Sequence, residues 1–190
     1  MLELRIPTRL QWIDAVMADF DAFLLDHAAC ERKASAMGIS FVMRYPDRVE
    51  ILDPLIAFAR EELEHFHQVY GLCAARGLIM DKDERDPYAS ALLDWVRTGR
   101  DSRLLDRLLV AGVIEARGCE RFGIVARALE DPELKAFYLD ITRAEARHHG
   151  LFLRLARVYF SDDEIRPRLD DLLDREAELV NSLPLRATVH

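Results

Sequence analysis

Glu62-Leu63-Glu64-His65 and Glu145-Ala146-Arg147-His148 decide how this chain is read. Both spell Glu-x-x-His, and each follows a lone glutamate at nearly the same distance: 31 positions separate Glu31 from Glu62, and 30 separate Glu115 from Glu145. A glutamate and a histidine three apart project from the same side of an α-helix. Four helices carrying these groups can therefore enclose a pair of metal ions with four carboxylates and two imidazoles.

Periodicity selects these six residues over their neighbours. In the second helix Leu55, Phe58, Ala59, Phe66, Val69 and Cys73 form an apolar stripe. Glu62 and His65 fall on it, whereas Glu61, Glu64 and His67 fall beside it. Leu134, Tyr138, Ile141, Phe152 and Leu155 place Glu145 and His148 inward and His149 outward; Leu104, Leu108, Ala111, Phe122 and Ala126 place Glu115 inward and Glu120 outward. Glu31 continues the row of Phe20, Leu24 and His27, with His27 read as a core histidine in preference to a partner supporting Glu31 one turn on. Four ionised carboxylates crowded into an apolar interior repel one another and lose hydration, so concentrated positive charge must sit among them. Two divalent cations supply it. Carboxylates with one imidazole per ion suit iron or manganese, whereas structural zinc prefers thiolates. Ala111, Gly112, Ala116 and Gly118 beside the third-helix ligand either leave room for dioxygen and substrate or pack helices closely.

The 190 residues predict one domain, 1–190, with enough apolar chain to close around a buried polar site. No apolar run approaches the roughly 20 residues of a membrane-spanning helix, and Met1-Leu2-Glu3-Leu4-Arg5 lacks the start of a secretory signal, so a soluble cytoplasmic protein is expected. Cys30, Cys73 and Cys119 are an odd number with no Cys-x-x-Cys pair, which fits a reducing compartment and argues against a rubredoxin-type iron site and a disulfide frame. The net charge of −8 argues against nucleic acid on its own, but four of the acids belong to the metal site. Nearly all the basic residues are arginines, which suit bidentate phosphate contacts, although a general preference for arginine explains the bias equally well.

Helical periodicity runs throughout and predicts an all-α fold. A first helix starts after Pro7-Thr8 and carries Trp12, Val16, Phe20, Phe23, Leu24, His27, Glu31 and Ala34 on one stripe, with Gly38 ending or interrupting it. Pro46 makes Tyr45 a break. The second helix follows from about Arg48, with Pro54 near a start or a kink, to Arg76-Gly77. A connection from about Leu78 to Ser102, with a short helical patch at Tyr88–Thr98, is too long for a tight turn and predicts the single crossover of a ferritin-like four-helix bundle. The third helix runs from about Arg103 to Leu129, and Asp131-Pro132 opens the fourth, which continues to about Phe160. Ser161-Asp162-Asp163-Glu164 is a capping box for a last, flanking helix ending near Ser182-Leu183-Pro184. The one internal repeat pairs helices one and two with three and four.

The words around the ligands narrow the function. Met37-Gly38-Ile39-Ser40-Phe41 with Arg44-Tyr45-Pro46, Arg60-Glu61-Glu62-Leu63-Glu64-His65-Phe66, Val113-Ile114-Glu115-Ala116-Arg117-Gly118-Cys119-Glu120-Arg121-Phe122 and Glu145-Ala146-Arg147-His148-His149 resemble the bacterial tRNA hydroxylases that act on 2-methylthio-isopentenyladenosine. The similarity extends from about Leu25 to about Tyr159, with no ligand missing. It implies a di-iron monooxygenase with dioxygen as co-substrate, hydroxylating the isopentenyl side chain beside the tRNA anticodon, and fed by an external reductase. The implied iron ligands are Glu31, Glu62, His65, Glu115, Glu145 and His148. An apolar pocket for the prenyl group and a basic rim for the anticodon loop would then be needed. Arg32, Lys33, Arg44, Arg48, Arg117, Arg121, Arg143 and Arg147 are the candidates for that rim. Two alternatives are a ferritin-like ferroxidase or peroxide-reducing protein with the same six ligands, and a metal-free helical interaction protein.

Overall fold

The computed structural model of the chain describes residues 2–82 and 85–190; Asp83 and Glu84, in the charged run of the long connection, lie outside the described residues. Among those described are seven α-helices and no strand: α1 Gln11–Ala18, α2 Phe20–Arg44, α3 Val49–Ala75, α4 Pro87–Asp94, α5 Arg100–Ala128, α6 Pro132–Tyr159 and α7 Asp162–Ser182. They fall into two compact units. One comprises Asp14–Glu84 with Arg186–Val189, and the other Met1–Ile13 with Arg85–Leu185 and His190. No helix is long and apolar enough to cross a membrane.

In the first unit α2 and α3 form an antiparallel hairpin. Arg76 binds Asp21 at one end (Nε to Oδ1, 2.6 Å), and the Ser35 hydroxyl donates to the Ala59 carbonyl farther along (2.7 Å). The predicted first helix is in fact two helices. Asp19 leaves the helical region (φ −143°, ψ 68°), and its side chain accepts from the Ala22 N–H, so it starts α2 afresh as an N-cap. Gly38 does not end the helix. It is buried inside α2, where an added Cβ would lie 2.9 Å from Ala59 Cβ and 3.2 Å from the Leu55 carbonyl oxygen. Its glycine is explained by close helix approach, and α2 continues to Arg44 and stops at Tyr45, ahead of Pro46, as predicted. Gly77, at φ 71°, follows the end of α3 in the left-handed conformation that glycine takes without strain.

In the second unit α5 and α6 form the other hairpin, with Phe122 against Tyr138 at 5.9 Å between ring centroids. Asp131 caps α6 by accepting from the Glu133 and Leu134 amides, with Pro132 at the first helical position. Glu164 reaches back to the Ser161 N–H at the start of α7, as the capping box requires. The short patch of the connection is α4, which covers less of the chain than predicted.

Asp86 caps α4 through the Tyr88 and Ala89 amides and faces the His190 ring, which stacks on Tyr88 at 4.9 Å. Burial alone would raise its pKa. The contact with His190 and the two amides outweigh that and bring it from 3.8 to about 2. A carboxyl depressed on folding contributes stability above its unfolded pKa and loses it as pH falls through the folded value. Urea unfolding should therefore show an acid loss of about 2 kcal/mol between pH 4 and pH 2 that Asp86→Asn removes. An unchanged acid limb in that variant would show that the cap carries none of it.

Candidate metal centre

Each hairpin holds one buried triad of two glutamates and a histidine. In the first unit Glu31 on α2 meets Glu62 and His65 on α3, and one donor atom from each lies within 4.8 Å of the others. His65 Nδ1 is 3.7 Å from Glu31 Oε2 and 3.5 Å from Glu62 Oε2. The choice made by periodicity holds: Glu62 and His65 are buried, whereas Glu64 and His67 are exposed.

His27, one turn before Glu31, is more than a core histidine. Its Nε2 lies 2.6 Å from Glu31 Oε1, fully buried, so it orients that carboxylate. The four-residue spacing to Glu31 was the available signal. Burial by itself raises the pKa of Glu31, yet the hydrogen bonds with His27 and His65 hold it well below the usual carboxylate range. Burial likewise opposes protonation of His65, and Glu31 and Glu62 overcome it, pushing that imidazole up to about 10. These acids draw positive charge inward strongly enough to reverse the effect of desolvation.

In the second unit Glu115 on α5 meets Glu145 and His148 on α6, all buried, with one donor atom from each again within 4.8 Å of the others. His148 Nδ1 is 3.7 Å from Glu145 Oε2. Cys119, one turn after Glu115, lies against the Thr142 carbonyl, and burial followed by the charges of Glu145, Glu120 and Glu115 pushes its thiol up to about 11. It is a protonated packing residue at neutral pH, not a metal-binding thiolate.

The donor set fits a metal. Two carboxylates and one neutral imidazole carry a charge of −2, which a divalent cation cancels, and these oxygen and imidazole donors match iron or manganese. Of the small residues of α5, Gly112 serves close packing. A Cβ on Gly112 would stand 3.3 Å from Leu2 Cδ1 and 3.5 Å from the His149 carbonyl oxygen, leaving no channel there.

Two of the arginines expected at a basic rim are internal. Arg117 is fully buried and grips Glu176 with Nε to Oε1 at 2.8 Å and Nη2 to Oε2 at 3.0 Å. Arg121 is buried too, with its guanidinium 5.0 Å above the Trp12 ring and its Nε reaching the Thr8 hydroxyl. The reason is that α5 is covered on nearly every side, so charged residues in its sequence take partners inside the fold. Arg32, Arg44, Arg143 and Arg147 are exposed, and Lys33 and Arg48 are half-buried.

A model of the family described as tRNA-(MS[2]IO[6]A)-hydroxylase (MiaE) matches residues 2–190. A protein of Pseudomonas putida named tRNA 2-(methylsulfanyl)-N(6)-isopentenyladenosine(37) hydroxylase is 36% identical over 176 residues, covering 93% of this chain and 85% of that protein. Its namesake from Salmonella typhimurium is 38% identical over 133 residues, 70% of this chain and 48% of that longer relative. Among solved structures, one titled "Protein 43 with aldehyde deformylating oxygenase activity from Synechococcus" is similar at a TM-score of 0.88 and 38% identity, covering 97% of this chain and 92% of its own. The all-α, ferritin-like class read from the sequence stands.

Proposed function

Because this chain belongs to the tRNA-(MS[2]IO[6]A)-hydroxylase family, we propose that it is an oxygen-dependent monooxygenase hydroxylating the isopentenyl group of 2-methylthio-isopentenyladenosine in tRNA. The reading places two iron ions on Glu31, Glu62, His65, Glu115, Glu145 and His148. The observation that carries it is the recurrence of one buried Glu, Glu, His triad in each hairpin, every triad matched in charge to one divalent ion.

Bound iron would supply the reduction of dioxygen and the oxidising power that replaces a C–H bond by C–OH. The reaction balances when one oxygen atom enters the substrate and the other leaves as water, which takes two electrons and two protons. Its cysteines, Cys30, Cys73 and Cys119, form no Cys-x-x-Cys pair for a second iron site, so the electrons come from an external reductase. His27 keeps the Glu31 carboxylate in one orientation, and the surrounding apolar side chains exclude bulk water from both triads. Arg32, Arg44, Arg143 and Arg147 remain as solvent-facing candidates for the anticodon loop. With tRNA as the substrate, the protein works in the cytoplasm.

The test is incubation of the iron-loaded protein with modified tRNA, a reductant and isotopically heavy dioxygen. Mass spectrometry of the digested tRNA should show one added oxygen atom that carries the label. Peroxide or ferrous iron consumed while the tRNA stays unchanged would overturn the proposal and favour a ferroxidase or peroxide-reducing protein on the same ligands.

A further inference from the structure

We infer that the outward face of α3 is a self-association surface on which a second copy of this chain docks, helix against helix. While Leu55, Phe58, Glu62, His65, Val69 and Cys73 turn inward, the opposite side of α3 carries Val49, Ile56, Leu63 and Tyr70, which are 65%, 39%, 55% and 47% exposed. They recur every seventh residue. A solvated helix face normally presents charged residues, whereas an apolar residue every two turns is the seam by which one helix packs along another. On α2, Ile39 and Met43 are 45% and 75% exposed, next to the level at which Gly38 abuts Ala59 and Phe58. A shallow cleft of about 820 Å³ lies along the middle of the α3 face, with Ala57, Leu63 and Phe66 as its apolar lining and Arg60, Glu61, Glu64 and His67 as its ionisable lining.

The area fits a second copy. Four large apolar side chains of α3, each leaving on the order of 100 Å² in water, make a patch of the few hundred Å² that marks an interaction site. Interfaces are only a little over half apolar, so with the polar residues alongside, a twofold axis brings the buried area to about 1,200 Å², the lower end of the range for stable pairs. The charges alongside choose the direction. The row beside the seam runs Asp53, Arg60, His67, so antiparallel pairing sets Asp53 of one copy near His67 of the other. Ile56 then meets Leu63 and Val49 meets Tyr70; the two Arg60 side chains face each other at the axis in either direction of pairing, with Glu64 one turn on to offset their repulsion, so the Asp53 and His67 contact decides between the directions. Nothing in this arrangement depends on the metal or on the tRNA reading.

Sedimentation velocity on the full chain tests the inference. At tens of micromolar the protein should sediment at twice its 21.9 kDa, and Leu63→Glu should weaken association at least 100-fold while the circular dichroism spectrum stays that of the folded chain and the melting temperature loses its dependence on protein concentration. Mixing Ile56→Cys with Leu63→Cys under oxidation should give a covalent dimer, which serves as the deciding measurement if the glutamate variant misfolds. A protein that stays at 21.9 kDa up to about 100 µM would overturn the inference. So would a dimer indifferent to Leu63→Glu, or a cysteine mixture that yields no cross-link. A monomer whose affinity for a tRNA stem-loop drops in the glutamate variant would also overturn it and assign the face to RNA.

Discussion

Glu62→Gln is expected to abolish stoichiometric iron binding and to lower tRNA hydroxylation by on the order of a thousandfold, the several kcal/mol that a bound metal contributes to such a reaction. The substitution keeps the volume of a side chain that is fully buried between Glu31 and His65, so packing is preserved while one anionic donor is lost. It also separates metal chemistry from stability. Without metal, Glu31 and Glu62 share one buried pocket with an imidazole that both of them hold protonated, so the substitution relieves a repulsion and removes one partner of His65 together. The metal-free variant should melt close to the temperature of the metal-free parent. Iron should raise the melting temperature of the parent, because a ligand that binds only the folded state stabilises it, and leave the variant unmoved. Iron titration with paired melting curves checks both parts. A variant that still takes up two equivalents of iron would remove Glu62 from the ligand set.

Arg117→Met should be the most damaging substitution among residues that are not themselves triad members. Arg117 and Glu176 are both fully buried and joined by two hydrogen bonds, with the Tyr88 hydroxyl also donating to Glu176 at 3.0 Å. Burial disfavours the charged guanidinium, and the Glu176 carboxylate overrides it and drives the pKa upward. Removing only the cation strands a carboxylate in the interior, which costs about 3–5 kcal/mol. For a domain of this size that corresponds to a fall of about 6–20 °C in melting temperature. Adding Glu176→Leu should restore most of it, since a buried ion pair replaced by apolar side chains of similar volume is often neutral. Calorimetry on the single and double variants decides the matter; equal losses in both would show that the pair acts through shape and not charge.

The ligand pattern was legible because it is local. Glu62 and His65 share a helix face whatever the rest of the chain does, and the alternation of Leu55, Phe58 and Val69 shows which face is covered. Helix ends at Tyr45-Pro46, Asp131-Pro132 and Ser161–Glu164 were legible for the same reason, since a cap is satisfied by residues two or three positions away. Asp19 is the exception that marks the limit: an aspartate within an apolar stripe reads equally as a surface residue or as a cap.

Residue order along the chain determined the all-α class, the four ligand-bearing helices and the six metal-binding candidates, because helical spacing is a property of the backbone alone. Only tertiary structure decided that Gly38 is a point of helix contact and not a terminus, since that depends on Ala59 and Leu55 of α3. The same holds for Arg117 and Arg121. Arginine on a helix carries no mark of burial, and its place inside the fold follows from the partners, Glu176, Thr8 and Trp12, that distant segments bring to it.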